Sequence, residues 1–266
     1  MEARNLKEGP VSRKLARRIL VGAAVFLPVL CLAQAAQEER RPPKKLDPAG
    51  ALVVFDSTRF QSQITSPQGL GPLAGELSLY GQDLQAMGFA AKSDEAKTFL
   101  IGSFYSELVA HVRSGKSELA LDRLRAIEKE FILMGVPVSS YNFVSRLENA
   151  IATGRYDAPV LLEILGLFQP VYEDHLRAKG QDHVILFQAG SWLMDMGLAA
   201  AARDSGLLRQ PDVLKYFAAE MERMDAPKGV QDALAEISKI SEKTEISERD
   251  ADQVLRLIKR IQNVLG

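Results

Sequence analysis

Residues 93–131 read SDEAKTFLIGSFYSELVAHVRSGKSELALDRLRAIEKEF, and their spacing decides the fold. Ser93 is a good helix N-cap, and Asp94 and Glu95 place negative charge in the first turn, where the helix dipole favours it. Ala96, Leu100, Phe104 and Leu108 then recur every fourth position, joined by Ile101, Tyr105, Val109 and Val112. That apolar face is wide enough to be buried on two sides. Gly115 stops the helix and Ser117 restarts it, and Ala120, Leu124, Ile127 and Phe131 form a second stripe opposite Asp122, Arg125 and Lys129. So short a connection predicts an antiparallel hairpin.

The same grammar continues toward the C-terminus. Ser139 or Ser140 opens a helix carrying Phe143, Leu147 and Ile151, and Gly154 ends it. Asp157, with Pro159 in the first turn, starts another through Leu161, Leu165 and Phe168, which Pro170 is expected to kink or break. Asp182 is expected to cap a long helix through Phe187, Trp192 and Met196 to the alanines 199–202, which suit a close helix contact. Pro211 opens a helix with Leu214, Phe217 and Met221. In the last hairpin Val230, Leu234 and Ile237 face Ala251, Val254, Ile258 and Ile261, and Ser247 with Asp250 resembles a capping box with Asp in place of Glu.

The reading is therefore all-α, an irregular stack of antiparallel helical hairpins, α-solenoid-like or a bundle, over residues 72–266. Residues 115–127 (GKSELALDRLRAI) resemble the middle of a tetratricopeptide repeat, and Gly154-Arg155-Tyr156 is similar to the same turn. Leu108 and Pro159 depart from that pattern at its small-residue positions, and Gly115, Gly154 and Gly206 keep no fixed period. The likeness covers one hairpin and implies shared hairpin packing.

Upstream, residues 1–18 carry Arg4, Lys7, Arg13, Lys14, Arg17 and Arg18, an apolar run spans 19–32, and Ala33-Gln34-Ala35-Ala36 closes it. This is the order of a secretory signal peptide, here residues 1–36. The run is shorter than the roughly 20 residues that span a bilayer and contains Pro28, so cleavage is expected rather than stable membrane insertion. Leu30 before Cys31 is too large for a lipoprotein signal, and the flanks of Arg17-Arg18 match a twin-arginine signal poorly. Residues 37–71 read as a linker and extended arm: a charged, proline-rich 37–50, a short apolar 51–55 of strand or arm character, and a polar, turn-rich loop from 56 onward.

The chain has 266 residues, 47% hydrophobic and 25% charged, in the range of ordinary globular domains. Its formal charge of −1 becomes more negative once the basic signal leaves, so the footprint of a nucleic-acid binder is missing. Cys31, the only cysteine, leaves with the signal, which excludes disulfides and thiolate chemistry from the mature chain.

Three constellations have residue types that can carry chemistry. His175 and His183, each preceded by an aspartate (Asp174, Asp182) across the turn at Gly180, are the candidate metal ligands, with Glu173 beside them. The plainer reading makes Asp182 a cap and His175 a dipole partner. Glu107 and His111 share a helix face at the spacing of an acid–base pair. Phe187, Trp192, Met194 and Met196 would line an apolar pocket if they are not core. No nucleotide-binding, haem-attachment or hydrolase motif is present in the sequence, and no cofactor is expected. The expectation is an exported protein, periplasmic or extracellular, that binds another protein or a second copy of itself without enzymatic chemistry. The alternatives are a small-molecule or lipid carrier and a metal-dependent enzyme using His175 and His183.

Overall fold

The computed structural model describes residues 56–64, positions 70, 74 and 77, and residues 93–265, apart from the side chains of 138–141. Residues 1–55, where the signal, the linker and the 51–55 strand or arm are expected, lie outside the described residues. Nine helices are present among them, and no strand: α1 (Ser57–Gln61), α2 (Asp94–Arg113), α3 (Ser117–Leu133), α4 (Val138–Ala152), α5 (Ala158–Lys179), α6 (Gln181–Ala201), α7 (Pro211–Arg223), α8 (Lys228–Ser241) and α9 (Glu248–Leu265). The all-helical reading holds.

At the centre α2 lies along α6, the most extensive helix pair in the fold. Both helices are buried nearly all round, as the broad apolar face of α2 requires. They approach at two glycines. A Cβ on Gly102 would sit 2.0 Å from the carbonyl oxygen of Phe187, and one on Gly190 would sit 2.0 Å from that of Phe99. Only glycine fits at either place. The alanines 199–202 are not the closest approach, although Ala199 and Ala200 are fully buried.

That reciprocity exposes an internal repeat. Phe99-Leu-Ile-Gly102-Ser103-Phe104-Tyr-Ser-Glu107 in α2 and Phe187-Gln-Ala-Gly190-Ser191-Trp192-Leu-Met-Asp195 in α6 share Phe, Gly, Ser, an aromatic and an acid at the same five of nine positions. Both helices end in the same way. The amide of Lys116 bonds the carbonyl of His111 and that of Asp204 bonds the carbonyl of Ala199, each at 2.9 Å, with Gly115 (φ 69°) and Arg203 (φ 58°) in the left-handed region. Further on, Met134-Gly135-Val136-Pro137 after α3 corresponds to Met224-Asp225-Ala226-Pro227 after α7. Gly135 (φ 70°) and Asp225 (φ 53°) again share the left-handed turn. Val144, Leu147 and Ala150 of α4 match Leu234, Ile237 and Ile240 of α8, all buried, and the caps Asp157 and Ser247 open α5 and α9. Residues 94–265 thus form two consecutive four-helix units, α2–α5 and α6–α9, joined through their first helices.

Three local expectations are corrected. Pro170 does not break α5, which runs continuously through it. Phe168 and Tyr172, on either side of it, hold the helix by stacking on Phe131 at 5.9 and 4.4 Å. Asp182 does not cap α6; that position is Gly180 (φ 146°, ψ 152°), the single residue between α5 and α6, and Asp182 pairs with Arg223. The loop read from residue 56 onward contains α1, capped by Asp56, whose carboxylate accepts the amides of Thr58 (2.9 Å) and Arg59 (3.2 Å).

Candidate functional site

α1 is short, yet Ser57 and Gln61, one turn apart on one face, are fully buried. Packed against α2, α5 and α6, both reach Asp195, at the middle of α6 and 0% exposed. A carboxylate removed from water costs several kcal/mol unless it is paired or well hydrogen-bonded. Among the described residues no cation lies at ion-pair distance from Asp195; its partners are neutral donors. Ser57 Oγ donates to Oδ2 at 2.6 Å, and Ser106 Oγ and Gln61 Nε2 donate to Oδ1 at 2.7 Å each. Ser191 Oγ lies 2.6 Å from Ser57 Oγ, and Gln61 Nε2 also reaches the Ser106 carbonyl at 2.9 Å.

Burial pushes the Asp195 carboxyl up to about 7, against the pull of its three donors and with a small further push from Asp56. The hydroxyl chain accommodates either state. With the carboxylate ionised, Ser57 donates to it and Ser191 donates to Ser57. With Oδ2 protonated, both hydroxyls reverse and the proton is passed toward Ser191.

The repeat supplies a comparison inside one molecule. Glu107, the counterpart of Asp195, is also buried, but Arg123 of α3 forms an ion pair with it and lies over the Phe104 ring at 5.6 Å. The corresponding stretch of α7 carries no arginine before Arg223. One acid is neutralised within its own unit; the other is covered by α1. His111, one turn beyond Glu107, is 1% exposed and its imidazole is driven down to about 4 by burial and then by the Arg123 charge. It is a neutral core histidine, and the carboxylate expected to orient it is engaged by Arg123.

On the outer face of α1, Thr58 and Arg59 line an open cleft of about 330 Å³ with Arg113, Pro159, Leu162 and Glu163. Arg113 donates to the Thr58 carbonyl at 2.8 Å, tying the end of α2 to α1. α1 therefore separates the cleft from Asp195 and forms one of its walls.

The residues singled out for metal binding are drawn to separate partners. His183 Nδ1 lies 2.9 Å from Thr98 Oγ1, Asp182 pairs with Arg223, Asp174 pairs with Arg177, and Glu173 accepts from Gln169 at 2.9 Å. His175 is partly buried, and burial followed by the Lys179 charge lowers its imidazole. Among the described residues no group of three or more His, Cys, Asp or Glu is arranged to hold a metal. Phe187, Trp192, Met194 and Met196 are core: Trp192 stacks on Phe217 at 4.9 Å and donates to Gln210 at 3.0 Å, and Phe187 packs on Tyr105 and Tyr172.

Sequence reading passed over Asp195, Ser57 and Gln61. The signal that finds Asp195 is the shared F-x-x-G-S-aromatic-x-x-acid pattern, which marks it as the partner of Glu107. No protein-family model matches the chain, and comparison with curated proteins and with solved structures finds no match.

Proposed function

We propose that this chain is an exported, non-enzymatic interaction module whose first four-helix unit presents the docking surface for a protein partner. One observation carries the reading. Ile132 and Leu133, adjacent at the end of α3, are 56% and 47% exposed, while the repeat places Glu222 and Arg223 at the same structural positions in α7. The fold itself does not need aliphatic side chains there. Val171 of α5 is also well exposed where its counterpart, Ile261 of α9, is buried. Covering such side chains is favourable by about 25 cal/mol per Å²; a protein partner with an apolar surface would supply that cover. Export rests on the signal-like residues 1–36.

The test is a photo-crosslinking residue placed at position 132 or, as control, at 222, in the source cell. A discrete heavier species from position 132 and none from 222 is expected; equal yields, or none at either, would remove the proposal. A native mass spectrum of the isolated protein decides against the alternatives: a bound lipid, metabolite or metal would make the carrier or metalloenzyme reading the better one.

A further inference from the structure

The two buried acids of the repeat differ in one respect that bears on motion. Glu107 has a fixed counter-charge from its own unit, whereas Asp195 is held by a five-residue helix whose inward face is two polar side chains, Ser57 and Gln61, with Phe60 as its buried apolar residue. The grip of α1 on the fold thus depends on the charge state of one carboxyl group. We propose that α1 is a proton-controlled latch: it stays seated on α2 and α6 while Asp195 carries a proton and loosens as Asp195 ionises, and its departure removes one wall of the cleft beside Arg113.

The physical argument is a linkage. With α1 seated, Asp195 is sealed from water; Ser57 and Gln61 of α1 and Ser106 donate to the carboxylate and favour the anion, but the loss of its hydration outweighs them. With α1 lifted, water reaches the carboxylate and solvates it. The seated state therefore binds the proton more tightly, and seating is favoured by acid. The charged groups around it do not reverse this sign. Asp56, at the head of α1, opposes ionisation; Arg113, at the end of α2, favours it, but its guanidinium is directed to the Thr58 carbonyl. Glu163 of α5 lies on the cleft side of α1, and Glu107 on α2 is engaged by Arg123. The latch goes beyond the docking reading and survives its failure, because it rests on Asp195 and α1 and not on Ile132 and Leu133.

The experiment is hydrogen exchange on the chain as its host produces it, read at the amides of Phe60, Ser62, Gln63 and Ile64, which bond within α1 and its turn. Protection factors, which remove the intrinsic pH dependence of exchange, are compared from pH 5 to 8. With a seated value of about 7 and an unseated value in the ordinary carboxylate range, protection falls roughly fifty-fold between pH 5 and 7 and levels off above. In Asp195→Asn it stays high and flat. The ¹³C shift of the Asp195 carboxyl carbon in the unmodified chain is a second reading, independent of whether the variant folds, and its midpoint is expected near 7. A pH-independent protection of α1, an unchanged slope in Asp195→Asn, or a carboxyl midpoint near 4 would each overturn the latch.

Discussion

Asp195 and His111 are buried titratable groups whose effects on stability run in opposite directions over the same pH range. For Asp195 the folded value lies above the unfolded one, so its penalty is fully present above about 7 and disappears below the ordinary carboxylate range, a term of roughly 4 kcal/mol. For His111 the folded value lies below the unfolded one, so its penalty is absent above the ordinary histidine range and complete below about 4, roughly 3 kcal/mol. Between pH 4 and 7 the two terms nearly offset each other. Asp195→Asn should break the balance: more stable than the parent at pH 8, and losing stability steeply on acidification as the His111 term stands alone, which urea titration at both pH values will show. At the glycines no such balance operates. Gly102→Ala or Gly190→Ala drives a methyl into a backbone carbonyl, and a loss of more than about 3 kcal/mol, or failure to accumulate folded protein, is expected by circular dichroism.

At the scale of the elements, the four left-handed turns that end the first and second helices of each unit hold glycine in the first unit and Arg203 and Asp225 in the second. Asp225→Gly relieves a side chain at φ 53° and should raise stability by about 0.5–1 kcal/mol, while Gly135→Ala should lower it by about as much; thermal melts of the pair give the sign directly. The cap of α9 is as the sequence predicts: the Ser247 amide and hydroxyl donate to Asp250 at 3.0 and 2.8 Å, and Ser247 accepts the Asp250 amide in return. Lys243 and Ser247 hold the Asp250 carboxyl down to about 2, so the bonus is present above the ordinary carboxylate range and lost as pH falls through that value. Asp250→Ala should cost about 1 kcal/mol at pH 7 and nothing near pH 1.5, by the same melts. Local signals of this kind were readable because cap, stripe and turn sit within one or two turns of chain. α1 was not: nothing near Ser57 or Gln61 marks either as buried, since the helices they pack against and Asp195, which both reach, lie far along the chain. The stacking of Phe131 on Tyr172 across Pro170 is equally non-local.

For the described region as a whole, the repeat makes a statement about cooperativity. The contact that seals each unit is the other unit's first helix, through Gly102 and Gly190, so neither four-helix set has a closed core of its own. One unfolding transition is expected, with helix content by circular dichroism and the fluorescence of Trp192, which reports from the second unit alone, coinciding in urea; separated midpoints would mean independent units. The repeat was in the sequence all along, hidden because the loop after α6, residues 202–210, is longer than its counterpart 114–116 and α7 is shorter than α3, so the alignment slips between the first helix and the rest. The same arrangement hangs on one residue. Gly180 turns the chain from α5 into α6 at a backbone angle that other residues resist. Replaced by alanine, it gains a reason to become helical, and α5 and α6 would fuse into one rod, carrying the second unit away from the first. Each unit would then find its missing first-helix partner on another molecule, and the fold would close as an exchanged dimer with the same glycine crossing formed between chains.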